Sequence, residues 1–267
     1  VQKNIIALKR EICEIGRRVY ERGYVASNDG NISIRLDDER VLITPSGVSK
    51  GFMKPEQMCV IDMEGKLLKG SVKPSSEHKL HLKLYEERPD VNSVCHAHPP
   101  YATGFAVAGL PLDQCVLPEV VVALGGIPLA DYGLPGTDDI FKPILQYVKD
   151  YDAFLLANHG AVTIGPNVLN AYHKMETLEH FAHILFVAKA LGQVNVFNQE
   201  QVEGLLNLRE KFGININAGC AIPAKSDPAV TRASRAANPT NAAASEVDKE
   251  VLVQRITDAV LKRLSIS

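Results

Sequence analysis

VCHAHPPY, residues 94–101, places two histidines one residue apart at the end of an apolar run and follows them with two prolines. Side chains at i and i+2 of a strand share a face. If this stretch is extended, His96 and His98 stand side by side, with Cys95 and Ala97 turned the other way. Two imidazoles at a strand end can grip a metal ion or simply be polar residues where the strand stops. Ligands from elsewhere in the chain decide between these readings.

Outward from this point, strand and helix patterns alternate. Ile5, Leu8, Ile12, Ile15 and Val19 recur at helical spacing and predict an amphipathic helix ending near Gly23. GNISIRL (30–36) and RVLITPS (40–46) alternate like paired strands, and MCVIDMEGKLLKG (58–70) reads as a hairpin turned at Glu64-Gly65. A helix follows PSSE (74–77), with Ser75 or Ser76 as its N-cap. Residues 140–151 read as helical, AFLLANHGAVTIG (153–165) as two buried strands around a turn, and 167–192 as a long helix. The hairpin-like strands predict an α/β fold: a mixed, largely antiparallel sheet with helices on both faces in three layers.

The 267 residues are 46% hydrophobic and 22% charged, enough for a full core. A net charge of −2 predicts no general attraction to nucleic acid or anionic lipid. No apolar stretch approaches the roughly 20 residues that cross a bilayer, and the charged first helix is not a secretory signal. Cys13, Cys59, Cys95, Cys115 and Cys220 are scattered and odd in number, which predicts reduced thiols in a cytoplasmic protein.

ANHG (157–160) puts His159 at another strand end, and SSEH (75–78) supplies Glu77 beside a helix start. Three histidines and a carboxylate form a nitrogen-rich set suited to zinc. His81 lies one turn after Glu77 and could mimic a ligand, while His173, His180 and His183 read as a solvated or intersubunit helix face. No GxSxG elbow supports a serine hydrolase. Small-residue segments at 30–31, 44–47 and 75–76 look built to hold an anion with hydroxyls, an amide and backbone N–H groups, without any lysine; turns and an N-cap are the bland alternative.

GNISIRL, LITPSGVSKG, PSSEHKLH, VCHAHPPY, LANHGAVTIG and METLEHFA occur in an order and spacing that resemble the class II aldolase/adducin family, over about residues 1–218. The branch they look most like cleaves L-fuculose 1-phosphate to dihydroxyacetone phosphate and lactaldehyde. The resemblance implies one Zn2+ per subunit on His96, His98, His159 and Glu77, with Glu77 also moving protons. It implies a phosphate site on Asn31, Ser46, Gly47, Ser75 and Ser76, and a homotetramer with active sites at subunit boundaries. Glu119 and Phe212 stand where that branch carries tyrosines that handle the aldehyde, so Glu119 becomes the candidate acid/base there. Glu77 weighs against the related pentulose-phosphate epimerases, which carry Asp, and against the methylthioribulose-phosphate dehydratases, which lack the acid. The three histidines weigh against a non-catalytic adducin-like module.

After an aldolase domain over 1–222, residues 223–246 are rich in Ala, Pro, Ser and Asn and read as a flexible linker. Over 247–267 helical periodicity returns, with Val253, Ile256, Val260 and Leu264 in one stripe. This pattern resembles the encapsulation peptides that carry enzymes into bacterial microcompartments by binding shell or cargo proteins. A cytoplasmic enzyme held inside such a compartment is the expectation.

Overall fold

The computed structural model describes residues 4–214 and 216–222. The expected linker (223–246) and amphipathic helix (247–267) lie outside the described residues. Helix α1 (Ile5–Glu21) starts where the Asn4 side chain accepts from the Ile6 and Ala7 N–H groups, and it buries Ile12, Ile15 and Val19. Strands β1 (Asn31–Arg35), β2 (Arg40–Ile43), β3 (Cys59–Asp62) and β4 (Leu67–Lys69) form an antiparallel meander. Helix α2 (His78–Glu87), β5 (Ser93–Ala97), α3 (Pro100–Val107), α4 (Pro118–Ala123) and β6 (Leu129–Ala130) follow. The described chain closes with β7 (Ala153–Leu156), β8 (Gly160–Gly165), α5 (Val168–Ala190) and α6 (Gln199–Lys211). None of the helices among the described residues is long and apolar enough to cross a membrane.

The eight strands make one sheet in the order β4-β3-β2-β1-β5-β8-β7-β6, antiparallel except for the β6–β7 pair. Alternation along each strand feeds two cores. Ile32, Leu42, Cys95, Leu155 and Ala161 face α1, α3 and α5, whereas Ile43, Val94, Phe154, Val162 and Ile164 face α2 and the 140–148 segment. This is the three-layer, largely antiparallel arrangement that the hairpin patterns predict.

Two local expectations change. Residues 140–151 form turns around a single 3-10 turn at Lys142–Ile144, not an α-helix. Pro143 has no N–H and its ring crowds the preceding turn, yet Ile140, Ile144 and Val148 still reach the core. Helix α2 begins later than the serines suggest: Glu77, one residue past Ser76 and two past Ser75, occupies the N-cap position, and the Ser75 hydroxyl accepts from the Glu77 N–H at 3.3 Å.

The five-thiol expectation is overturned. Cys115 and Cys220, 105 residues apart, form a disulfide, leaving Cys13, Cys59 and Cys95 free. Chain return brings them together. Arg209 on α6 donates to the carbonyls of Val121, Val122, Ile216 and Ala218, and the Ala221 N–H donates to Asp113 O at 2.6 Å. No local spacing could announce a pair made this way. Alkylation of the denatured, unreduced protein should block three cysteines, and five after reduction; five before reduction would exclude the bridge. A Cys220→Ser variant should lose roughly 2–5 kcal/mol of stability in denaturant unfolding.

Candidate active site

Sheet register assembles the first part of the site. Asn31 of β1 pairs with His96 of β5, which pairs in turn with Val162 of β8. Directly opposed residues share a face, so Asn31 and His96 point together toward the side that α2 covers. His98 lies just beyond the end of β5. The turn from β7 to β8 then delivers His159. Asn158 takes a left-handed conformation (φ 56°), and a Cβ at Gly160 would sit 2.6 Å from both Ala97 O and the His98 ring. Glycine is what lets His159 come this close to His98.

The three imidazoles converge. Their ring centroids are 4.7, 5.0 and 5.0 Å apart, and one nitrogen from each lies within 4.8 Å of the others. His96 Nε2 and His98 Nε2 are 3.3 Å apart; Glu77 completes the group, its Oε2 3.3 Å from His96 Nε2 and its Oε1 3.2 Å from His159 Nε2. Four ligands about 2.0–2.1 Å from one tetrahedral ion have edges of about 3.3–3.4 Å. The donor set and its spacing therefore fit a divalent ion such as zinc. The His96 Nδ1–H donates to Ala161 O at 2.9 Å, and Asp29 Oδ2 lies 3.4 Å from His98 Nδ1. These outer partners orient His96 and His98 with Nε2 toward the shared centre, whereas His159 Nδ1 has no such partner.

Charge in the cluster is strongly coupled. Burial pushes the Glu77 carboxyl up, but the neighbouring imidazoles of His96 and His159 outweigh it and hold the group below the usual carboxylate range. Burial opposes protonation of His96, and Glu77 more than compensates, so that ring titrates above its ordinary value. His98, half-buried and facing both other rings, falls to about 4. Behind Glu77 runs a chain of neutral groups. Asn31 Nδ2 donates to Glu77 Oε2 at 2.7 Å, and Asn31 Oδ1 accepts from His81 Nε2 at 2.5 Å. Ser33 donates to His81 Nδ1 at 2.7 Å and accepts from the Tyr85 hydroxyl at 2.7 Å. Burial holds His81 neutral, at about 3, so this is the only consistent polarity. His81 is thus a support for Glu77 and not a member of the histidine cluster.

The small-residue segments meet at the same place. Pro45 and Pro74 bridge the two loops, with Ser46 N–H donating to Lys73 O at 2.9 Å and Ser75 N–H to Thr44 O at 3.1 Å. A cavity of about 210 Å³ results, lined by Asn31, Ser46, Gly47, Ser75, Ser76, Glu77, His98 and His159. Larger clefts of about 570 and 610 Å³ flank α5, but neither contains a comparable set of ligands.

Two residues of the cavity wall escape the motif reading. Asp29 precedes the turn glycine of GNISIRL, and Lys50 follows TPSG by three residues. Lys50 is 2% exposed yet lines the cavity, and burial draws its ammonium down to about 8 against the opposing pull of Asp29. Its only sequence signal is a lysine inside a quoted motif. Glu119 is the reverse case. It sits exposed in the first turn of α4 and does not line the cavity of its own chain; Phe212, just past α6, is likewise exposed. His173, His180 and His183 lie exposed on α5, as their spacing suggests. Replacing His159→Ala should reduce divalent metal bound per chain at least tenfold by elemental analysis, with the far-ultraviolet circular dichroism unchanged; metal retained at the original stoichiometry would refute the cluster as a metal site.

Residues 10–186 match the Class II Aldolase and Adducin N-terminal domain family. The chain is 35% identical over 206 residues to a 3-oxo-tetronate 4-phosphate decarboxylase of Haemophilus influenzae, covering 76% of this chain and 97% of that one. It is 36% identical over 181 residues to an L-fuculose phosphate aldolase of Methanococcus maripaludis, covering 68% and 97%. A solved L-fuculose 1-phosphate aldolase superposes with a TM-score of 0.70 at 31% identity, over 78% of this chain and 97% of that one. With a histidine cluster at the ends of β5 and β7, a carboxylate ahead of α2 and a family match spanning all three, the chain belongs to the class II aldolase/adducin family.

Proposed function

We propose that this site generates the enediolate of dihydroxyacetone phosphate by reversible, zinc-dependent aldol cleavage of a ketose 1-phosphate, L-fuculose 1-phosphate in the first instance. The observation that carries the reading is the meeting of a three-histidine, one-carboxylate set with a serine- and glycine-lined wall in one cavity of about 210 Å³. Bond cleavage beside a ketone leaves a carbanion equivalent that needs its charge neutralised. Zinc held by His96, His98 and His159 would supply that as a Lewis acid. Ser46, Gly47, Ser75 and Ser76 would hold the phosphate, and Asn31 keeps one amide N–H free after serving Glu77. Glu77 Oε1 accepts no hydrogen bond, whereas Oε2 is held by Asn31. Oε1 is therefore the atom to carry the proton to and from the reacting carbon.

A second reading has specific support in the decarboxylase relative. Loss of carbon dioxide from a 3-oxo-tetronate 4-phosphate leaves the same three-carbon enediolate. The two reactions share the zinc set, Glu77 and the phosphate wall, and differ only in the departing group. Departure of an aldehyde needs a further acid/base, which we assign to Glu119. Being exposed on its own chain, it would serve a neighbouring copy in a homotetramer whose sites lie at subunit boundaries. Incubation with L-fuculose 1-phosphate and with 3-oxo-tetronate 4-phosphate, reading dihydroxyacetone phosphate from both and carbon dioxide from the second, decides between them. Release of dihydroxyacetone phosphate from neither would refute the common intermediate. Chelation should abolish turnover and zinc restore it, and Glu77→Gln should lower kcat by roughly 10²–10⁴-fold.

Residues 223–246 and 247–267 are proposed, on sequence alone, to be a linker and an encapsulation helix that places a cytoplasmic enzyme within a bacterial microcompartment. Removing residues 224–267 should leave turnover intact and abolish co-purification with compartment shells. Loss of turnover on truncation would assign the segment to the enzyme itself.

A further inference from the structure

Lys50 is a long cationic side chain that the proposed chemistry does not use. The 3-10 turn that begins at Lys50 packs against α1 at Gly16, where an added Cβ would lie 2.6 Å from Lys50 O. From that anchor the side chain runs inward and its ammonium donates to Asn28 O at 3.0 Å and Val48 O at 2.7 Å. Those carbonyls belong to the loop that leads into Asn31 at the start of β1 and to the loop that carries Ser46-Gly47. An ammonium has three donors, and two are used. No described carboxylate forms an ion pair with Lys50, although Asp29 acts on it through space. Buried ammonium groups without a paired anion are costly, and an anionic ligand would relieve that cost.

The rest of the cavity sharpens the point. Its other charged groups are the carboxylates of Asp29 and Glu77 and the histidine cluster, and the remaining polar groups named for the phosphate are neutral. A phosphate dianion entering there meets two negative groups. Hydroxyls and amides alone leave its charge uncompensated on the side away from the histidines.

We propose that Lys50 is the phosphate-binding cation of this site, with its third N–H donated to a phosphate oxygen while the other two brace the loops at Asn28 and Val48. This rests on the reading that the substrate is a phosphate ester. It also sets specificity: phosphorylated ketoses or keto acids are accepted over their unphosphorylated counterparts through this one charge.

Calorimetric titration of the full-length, zinc-loaded protein with inorganic phosphate tests it, comparing wild type with Lys50→Gln, which keeps N–H donors and removes the charge, and with Lys50→Met. A hydrogen bond to a charged group is worth about 1.5–3 kcal/mol, or about 10–100-fold in affinity. Both variants should bind phosphate weaker by that factor. The preference in kcat/KM for L-fuculose 1-phosphate over L-fuculose should fall by the same factor, with the loss carried in KM. Phosphate affinity within threefold of wild type in a folded variant overturns the assignment while leaving the proposed reaction standing. Equal losses for phosphorylated and unphosphorylated substrate make Lys50 a loop brace, as does failure of both variants to fold, and either outcome overturns it. Wild-type protein that binds no phosphate removes the phosphate-ester reading itself.

Discussion

A carboxylate withdrawn from water and held among imidazoles is the constraint on which the site depends. Glu77 is 12% exposed and stands within 3.3 Å of His96 and 3.2 Å of His159. Moving a carboxylate into such a place costs several kcal/mol unless charge and hydrogen bonds replace the lost water. Here the imidazoles supply charge and Asn31 supplies one strong hydrogen bond. The support behind Asn31 then has to be neutral, because another charge would disturb the balance. His81 meets that requirement through complete burial, and Ser33 and Tyr85 fix its tautomer. A chain of four side chains from one strand and one helix is spent on orienting one carboxylate.

The same economy explains where the parts come from. Asn31 and His96 sit on neighbouring central strands, where register is fixed by burial on both faces of the sheet. The other proposed phosphate residues, Ser46, Gly47, Ser75 and Ser76, sit on loops, tied to one another by the Pro45–Pro74 bridge and to α1 through the turn at Lys50. Rigid strand ends suit ligands that must meet within tenths of an ångström. Loops suit a ligand contact made by backbone amides and hydroxyls.

Relatives named as an aldolase and as a decarboxylase resemble this chain to nearly the same degree, and a shared fold does not choose between them. The groups gathered within a single chain explain that similarity in physical terms. On the proposed reading, they serve the half of the chemistry common to both reactions: charge neutralisation, proton movement and phosphate binding. The half that differs is the one we assign to outward-facing residues such as Glu119, which is exposed on α4. Divergence of activity in such a site needs change only at its outer wall.

Taken alone, the sequence determined the pieces whose physics is local. Period-two alternation marked β1 and β2, apolar runs around a turn marked β7 and β8, helical spacing marked α1 and α5, and histidines beside strand-ending turns marked the cluster. Pattern matching supplied Glu77, Asn31 and the serines, all of which the structure brings to one cavity. What depends on distant chain segments meeting was decided only in three dimensions. The Cys115–Cys220 bridge requires the 216–222 segment to return along α4; His81 becomes a support only when β1 lies beneath α2; Lys50 enters the cavity wall because its turn is packed against α1. Backbone conformation and amphipathic faces are set by neighbours a few residues away, whereas charge, protonation and partnership in a buried site are set by whatever the fold places across from them.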